Sequence, residues 1–213
     1  MTAATRTYAG VSGDERRARR RRLLLDAGLE LLGTRGFSGT TMTAVCGRAK
    51  LTERYFYESF PDLEALLVAV FDRVTEESAE IVLAAVEDSP HDARARTQAA
   101  IAAFVEFLTE DPRKARIAFV EALGSEALMR RRFETISSFA ALLGDQARDF
   151  YGTAREADRL VNLTSFLLVG GLAEALIAWL GGELSSTREQ LVEDCTDLFV
   201  ATGEAAVRIA SER

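Results

Sequence analysis

Three prolines, two cysteines, one histidine and one tryptophan among 213 residues set the first limits on this chain. So few prolines, with few β-branched runs, favour helices throughout. Cys46 and Cys195 lie far apart, each inside a helical pattern. They read as reduced core residues of a cytoplasmic protein rather than as a disulfide. Neither has a metal-ligand partner nearby, and the sole histidine, His91, falls at a helix start, where it should face solvent. No Gly-rich phosphate loop, G-x-S-x-G or H-E-x-x-H pattern occurs, so nothing supports an enzyme, a metal site or a cofactor. The N-terminus lacks the apolar stretch of a secretory signal. The longest apolar run, from Phe166 to Leu180, contains Glu174 and is shorter than a bilayer span requires, so no membrane partner is expected.

What is present is charge, unevenly placed. The net charge is −7, yet residues 1–60 carry 11 Arg and Lys against 6 Asp and Glu, while the remainder carries 15 against 27. A basic head of +5 on an acidic body of −12 suggests that the head meets phosphates and the body does something else. At 48% hydrophobic, the chain can bury one large core or two small ones.

Helix signals divide the sequence. Residues 1–11 are small and polar and are expected to form a disordered tail. Ser12 with Glu15 makes a capping box that opens a helix ending at Gly36. Its beginning clusters Arg16, Arg17, Arg19, Arg20, Arg21 and Arg22. Such a cluster either neutralises phosphates or reaches a minor groove, or else serves only as solubilising charge. Pro61-Asp62 starts a helix that buries Leu66, Leu67, Val70, Phe71 and Val74. Ser89-Pro90-His91-Asp92 opens the next, with serine as the cap. Asp111-Pro112 starts one that buries Ile117 and Val120 and ends at Gly124. Ser125-Glu126 begins a seventh, closed by Gly152. Thr153 with Glu156 and Ser186 with Glu189 form two further capping boxes for the last two helices.

The centre of the argument is residues 41–60, TMTAVCGRAK followed by LTERYFYESF. Val45 and Ala49, with Met42, share one helical face; Thr52 opens a second, shorter helix with Phe56 and Phe60 four apart. Two short helices joined by a tight turn fit a helix-turn-helix, whose second helix enters the DNA major groove. The run through Gly36-Phe37, Thr40-Thr41, Val45, Ala49, Leu51-Thr52, Tyr57, Phe60 and Leu66-Leu67 resembles the N-terminal domain of the TetR family of repressors. Lys50 stands where that family's turn usually has glycine. The resemblance implies an all-α fold of nine helices. A helix-turn-helix head (12–60) would precede a ligand-binding and dimerisation body (61–213). It also implies a DNA contact set of Thr41, Thr43, Lys50, Thr52, Arg54, Tyr55, Tyr57 and Ser59. In that set Thr41, Lys50, Thr52 and Tyr57 would touch phosphates, while Arg54 and Tyr55 would reach base edges.

The body offers two further features. The eighth helix is apolar almost all round, and the ninth repeats Leu191, Cys195, Leu198, Thr202, Ala205 and Ile209 as a heptad-like seam. Either the body's own core covers both, or a second copy pairs with them around a two-fold axis, as TetR-family proteins do. The resemblance also implies a small-effector pocket among the middle helices. Phe104, Phe119, Phe139 and Trp179 are candidates for its apolar lining, and Glu121 and Glu174 for a polar contact; core packing is the alternative for each. The chain thus reads as a cytoplasmic homodimeric repressor that binds an inverted-repeat operator in double-stranded DNA and is released by a small apolar or amphipathic effector. The alternative is a helical dimeric module that binds protein, or DNA without sequence choice.

Overall fold

The computed structural model describes residues 12–123, 125–151 and 158–212. Among them are nine α-helices and no strand. They run α1 (Gly13–Arg35), α2 (Met42–Ala49), α3 (Glu53–Tyr57), α4 (Leu63–Glu87), α5 (Ala93–Glu110), α6 (Pro112–Ala115), α7 (Glu126–Tyr151), α8 (Asp158–Leu180) and α9 (Arg188–Ser211). Two compact units result. One holds the residues up to Val74 together with Pro112–Leu128, and the other holds Thr75–Asp111 and the residues from Met129 onward. The expected tail at 1–11, the Thr153–Glu156 box and the glycine stops at 124 and 152 lie outside the described residues.

The first unit begins as its sequence predicts. Ser12 Oγ accepts the Glu15 N–H at 3.1 Å, and the Glu15 carboxylate accepts the Ser12 N–H at 2.5 Å. These bonds satisfy donors that a helix start would otherwise leave open. Helix α1 ends at Gly36, whose φ of 76° disfavours a β-carbon. Leu24, Leu32, Val45, Phe56, Leu66 and Val70 are fully buried. Each such side chain contributes about 1.5–3 kcal/mol by leaving water. At Gly28, α1 and α4 come so close that a β-carbon would stand 2.9 Å from Val70 Cγ2. The unit therefore extends past residue 60, because α4 as far as Val74 completes the core begun by α1.

The segment after Asp111 departs from the expected single helix. After α6, the chain makes a π turn over Arg116–Val120 and then a 3₁₀ turn over Glu121–Leu123. The Glu121 N–H bonds to the Arg116 carbonyl, the five-residue spacing that defines a π turn. This winding leaves Val120, expected inside, 59% exposed. It turns the Glu121 carboxylate inward, where it accepts Arg116 Nε at 2.9 Å and the backbone N–H of Phe37 at 2.9 Å. Periodicity could not reveal this, because Glu121's partner at Phe37 is remote in sequence.

In the second unit α5 and α8 both pack on α9. Arg94 of α5 pairs with Asp197 of α9, and Arg132 of α7 pairs with Glu174 of α8. Two expected caps shift. Asp92, not Ser89, caps α5 by accepting the Ala95 N–H at 2.8 Å; Ser89 instead donates to the Val86 carbonyl at the end of α4. The α9 capping box is Thr187 with Gln190, one step beyond Ser186 with Glu189. Trp179 Nε1 donates to the Ser186 carbonyl at 2.9 Å, so the residue before the cap holds the end of α8 instead.

Helix α8 also corrects an expectation. Taken with the turns that precede Phe166, Arg159–Leu180 is long and apolar enough to cross a membrane by length and composition. Only 11% of its most apolar stretch is buried among the described residues. Leu163, Leu167 and, on α9, Leu198 are more than half exposed. The α9 seam is split accordingly: Leu191 is buried, Cys195 and Ala205 are half-buried, and Leu198, Thr202 and Ile209 are exposed.

Candidate nucleic-acid interface

The turn between α2 and α3 is built around one unusual residue. Lys50 lies at φ 55°, ψ 40°, the left-handed conformation that commonly closes a helix, and its N–H bonds back to the Cys46 and Gly47 carbonyls. A side-chain-bearing residue holds that conformation at a cost of about 1–2 kcal/mol. The anchoring below it is apolar: Val45, Cys46 and Ala49 of α2 and Phe56 of α3 are buried. Burial, and secondarily the charge of Glu53, push the Cys46 thiol up, so it packs as a small protonated hydrophobe. Burial likewise raises Cys195, with a smaller contribution from Asp194. Among the described residues, no group of His, Cys, Asp and Glu could hold a metal ion.

Packing Phe56 inward turns the rest of α3 outward. Thr52, at its N-terminus, extends its backbone and makes no side-chain cap bond. Arg54 is 84% exposed at its side chain, and Tyr57 is 58% exposed. Lys50 and Thr52 are also exposed, so four of the expected contacts project within one short stretch. Thr41 and Thr43 are exposed on α2, but both hydroxyls have internal work. Thr41 accepts the Ala44 N–H at 3.2 Å as the α2 cap, and Thr43 donates to Glu53 at 3.2 Å. Tyr55 and Ser59 are only half-buried and sit less openly.

The structure adds residues that the pattern of α3 alone did not select. The Arg20 guanidinium lies 4.4 Å over the Tyr55 ring, and that of Arg21 lies 4.7 Å over Phe60. Arg20 Nη2 also meets Glu58 Oε2 at 3.2 Å, while Arg54 Nε meets Glu58 Oε1 at 3.3 Å. The arginine-rich start of α1 is therefore part of the same surface as α3. The Arg54–Glu58 spacing of four was visible in the sequence; which of six clustered arginines reach α3 was not. On the side of α2, Arg48 pairs with Glu30 at 2.5 Å, and the bond from Arg48 holds the Glu30 carboxyl below its usual range.

The candidate effector residues are divided between the units. Phe119 and Glu121 belong to the first, where Phe119 is buried and Glu121 is engaged with Arg116 and Phe37. The other four belong to the second. Phe104 and Phe139 come together there, half-buried, with ring centroids 6.4 Å apart. Glu174 is exposed and paired with Arg132, and Trp179 is tied to Ser186.

Residues 24–70 match the family described as bacterial regulatory proteins, tetR family. Several solved structures share the fold. The fatty acid degradation regulator FadR from Bacillus halodurans is 16% identical, with a TM-score of 0.71 over 84% of this chain and 94% of that one. A TetR-like transcriptional regulator from Rhodococcus sp. RHA1 is 20% identical, with a TM-score of 0.61 over 87% and 94%. AibR, solved in complex with isovaleryl coenzyme A and operator DNA, is 19% identical, with a TM-score of 0.60 over 84% and 97%. At these identities the likeness is one of fold. No curated protein matches the sequence.

Proposed function

We propose that this chain, whose residues 24–70 match the tetR family of bacterial regulatory proteins, is a repressor acting as a homodimer on an inverted-repeat operator in the cytoplasm, released by a small apolar or amphipathic effector. The observation that carries the DNA reading is the outward face of α3. Lys50, Thr52, Arg54 and Tyr57 are all exposed on it, beside the arginine-rich start of α1. Phosphate contacts from such a face supply affinity, and base-edge contacts supply sequence choice.

The homodimer is supported by the bare surface of α8 and α9. A second copy would bury Leu163, Leu167 and Leu198, and a two-fold axis would present two copies of α3 to one duplex. In the second unit, the effector reading is supported by the facing rings of Phe104 and Phe139. An acyl chain suits such a lining; FadR is a fatty acid degradation regulator, and AibR was solved in complex with isovaleryl coenzyme A. Helix α4 contributes residues to both units, giving a covalent route for coupling. An effector shifts DNA binding only by as much as it prefers the weakly binding state.

The test is selection of duplexes from a random pool by the full chain, followed by addition of fatty acids and short and long acyl-coenzyme A thioesters. Enrichment of an inverted repeat, and its release by one member of that panel, is the expected outcome. Uniform, salt-dependent retention of the whole pool would favour the architectural module instead.

A further inference from the structure

We infer that Glu58 is a specificity-determining positioning residue: its carboxylate sets the direction of Arg54 and keeps both Arg54 and Arg20 from binding phosphates indiscriminately. The inference rests on reading α3 as the recognition helix. Glu58 Oε1 accepts Arg54 Nε at 3.3 Å, and Glu58 Oε2 accepts Arg20 Nη2 at 3.2 Å. Arg20 is held from its other side by the Tyr55 ring, 4.4 Å from the guanidinium carbon. Side-chain exposure rises from 22% at Arg20 to 32% at Glu58 and 84% at Arg54. Arg20 and Glu58 thus form a partly buried base from which Arg54 projects.

A carboxylate on a face that meets phosphates weakens binding to every sequence, so its presence there needs a reason. Fold stability does not supply one. An acid at the C-terminal end of a helix gains nothing from the backbone dipole, and exposed ion pairs add little. Geometry does supply one. With Nε engaged by Glu58, Arg54 keeps its two terminal nitrogens free as a fork, the shape that matches guanine O6 and N7 in the major groove. Released from Glu58, the same guanidinium can turn to any nearby phosphate, which carries no sequence information. Arg20, released with it, adds a second such contact.

The experiment uses the full chain, a duplex enriched by the wild-type protein, and a scrambled duplex of equal length, across a salt series. Glu58→Gln keeps the reach of the side chain but removes its charge. It should bind the scrambled duplex more tightly, with the slope of log affinity against log salt steeper by about 2, one unit for each released arginine. The ratio of enriched to scrambled affinity should fall about tenfold. Glu58→Asp keeps the charge but is too short to meet both arginines. It should lower the ratio less than Glu58→Gln does, with the salt slope on scrambled DNA steeper by about 1, because one arginine is released. Both are surface changes whose folding is checked by an unaltered circular dichroism melt. A wild-type ratio and slope in Glu58→Gln would overturn the role of Glu58 while leaving the recognition helix intact. If the wild-type protein enriches no sequence, the recognition-helix reading fails, and the inference fails with it.

Discussion

The two units of this protein treat hydrophobic surface in opposite ways. The first buries Leu24, Leu32, Val45, Phe56, Leu66 and Val70 completely and shows polar and cationic side chains along α3 and the start of α1. Helices α8 and α9 in the second leave leucines at 163, 167 and 198 more than half exposed. Charge follows the same division, with 15 Arg and Lys against 11 Asp and Glu in the first unit and 11 against 22 in the second. One unit closes its own core and offers charge; the other carries apolar surface that one copy leaves uncovered. The same hydrophobic effect explains both, provided that the second surface has a partner.

The largest expected effect tests that partner. Leu198→Glu should leave the protomer helical, because Leu198 is already exposed, yet it would place an unpaired charge in the proposed two-fold seam. Such burial costs about 3–5 kcal/mol. Sedimentation should show a monomer, and operator binding should disappear although no head residue has changed. An intact dimer would move the interface elsewhere.

The next pair sharpens the contrast within the head. Arg54→Ala should cost about 1–3 kcal/mol on an enriched duplex and relax sequence choice. Tyr57→Phe should weaken all duplexes alike. Gel-shift titrations on enriched and scrambled DNA would check both, and an equal loss for Arg54→Ala on the two would make Arg54 a phosphate ligand.

Phe104→Ala asks whether the units are coupled. It should lower affinity for whichever acyl compound releases the DNA, while the unliganded protein keeps its DNA affinity. In the unaltered protein, operator and effector should weaken each other by the same factor, with a coupling of about 1–3 kcal/mol. Calorimetry with and without operator reads this directly; identical effector affinities would leave the second unit as a dimerisation scaffold.

Two smaller effects fall inside the head. Lys50→Gly relieves the left-handed strain but gains backbone entropy in the unfolded chain, so the net stabilisation should be under about 1 kcal/mol. Thermal melting reads that gain, and binding at low salt should show the loss of one cation. The Glu30–Arg48 pair gives the smallest effect. Its folded carboxyl titrates below the 4.5 of the free group, so its stabilisation is present above that value and is lost as pH falls through the folded value. Glu30→Gln should therefore flatten slightly the acid limb of the stability curve, and an unchanged limb would show that the pair contributes nothing measurable.

Much of this could be read in the chain. Helix existence, the Ser12 box, the stop at Gly36 and the helix-turn-helix depend on neighbours within a few residues, and local preferences decide them. Lys50 is instructive, since a residue in place of the usual glycine still adopts the left-handed turn because Val45, Ala49 and Phe56 are anchored on either side. The exact caps were less legible. Ser89 and Asp92, or Ser186 and Thr187, carry the same chemistry one to three residues apart, and the choice falls to the Val86 carbonyl, which accepts from Ser89, and the Trp179 indole, which donates to Ser186.

The sequence by itself determined the helical class, the two short helices of the helix-turn-helix and the opposed charges of head and body. All of these arise from composition, periodicity and contacts a few positions apart. Only the tertiary structure decided where the first unit ends, because the closeness of Gly28 to Val70 and of Phe37 to Glu121 joins residues remote in sequence. It alone decided the π turn at Arg116–Val120, and it alone chose Arg20 from its cluster to stand between Tyr55 and Glu58. Residues distant in the chain meet only when helices pack, and no local period encodes which of several like side chains will be the one to arrive.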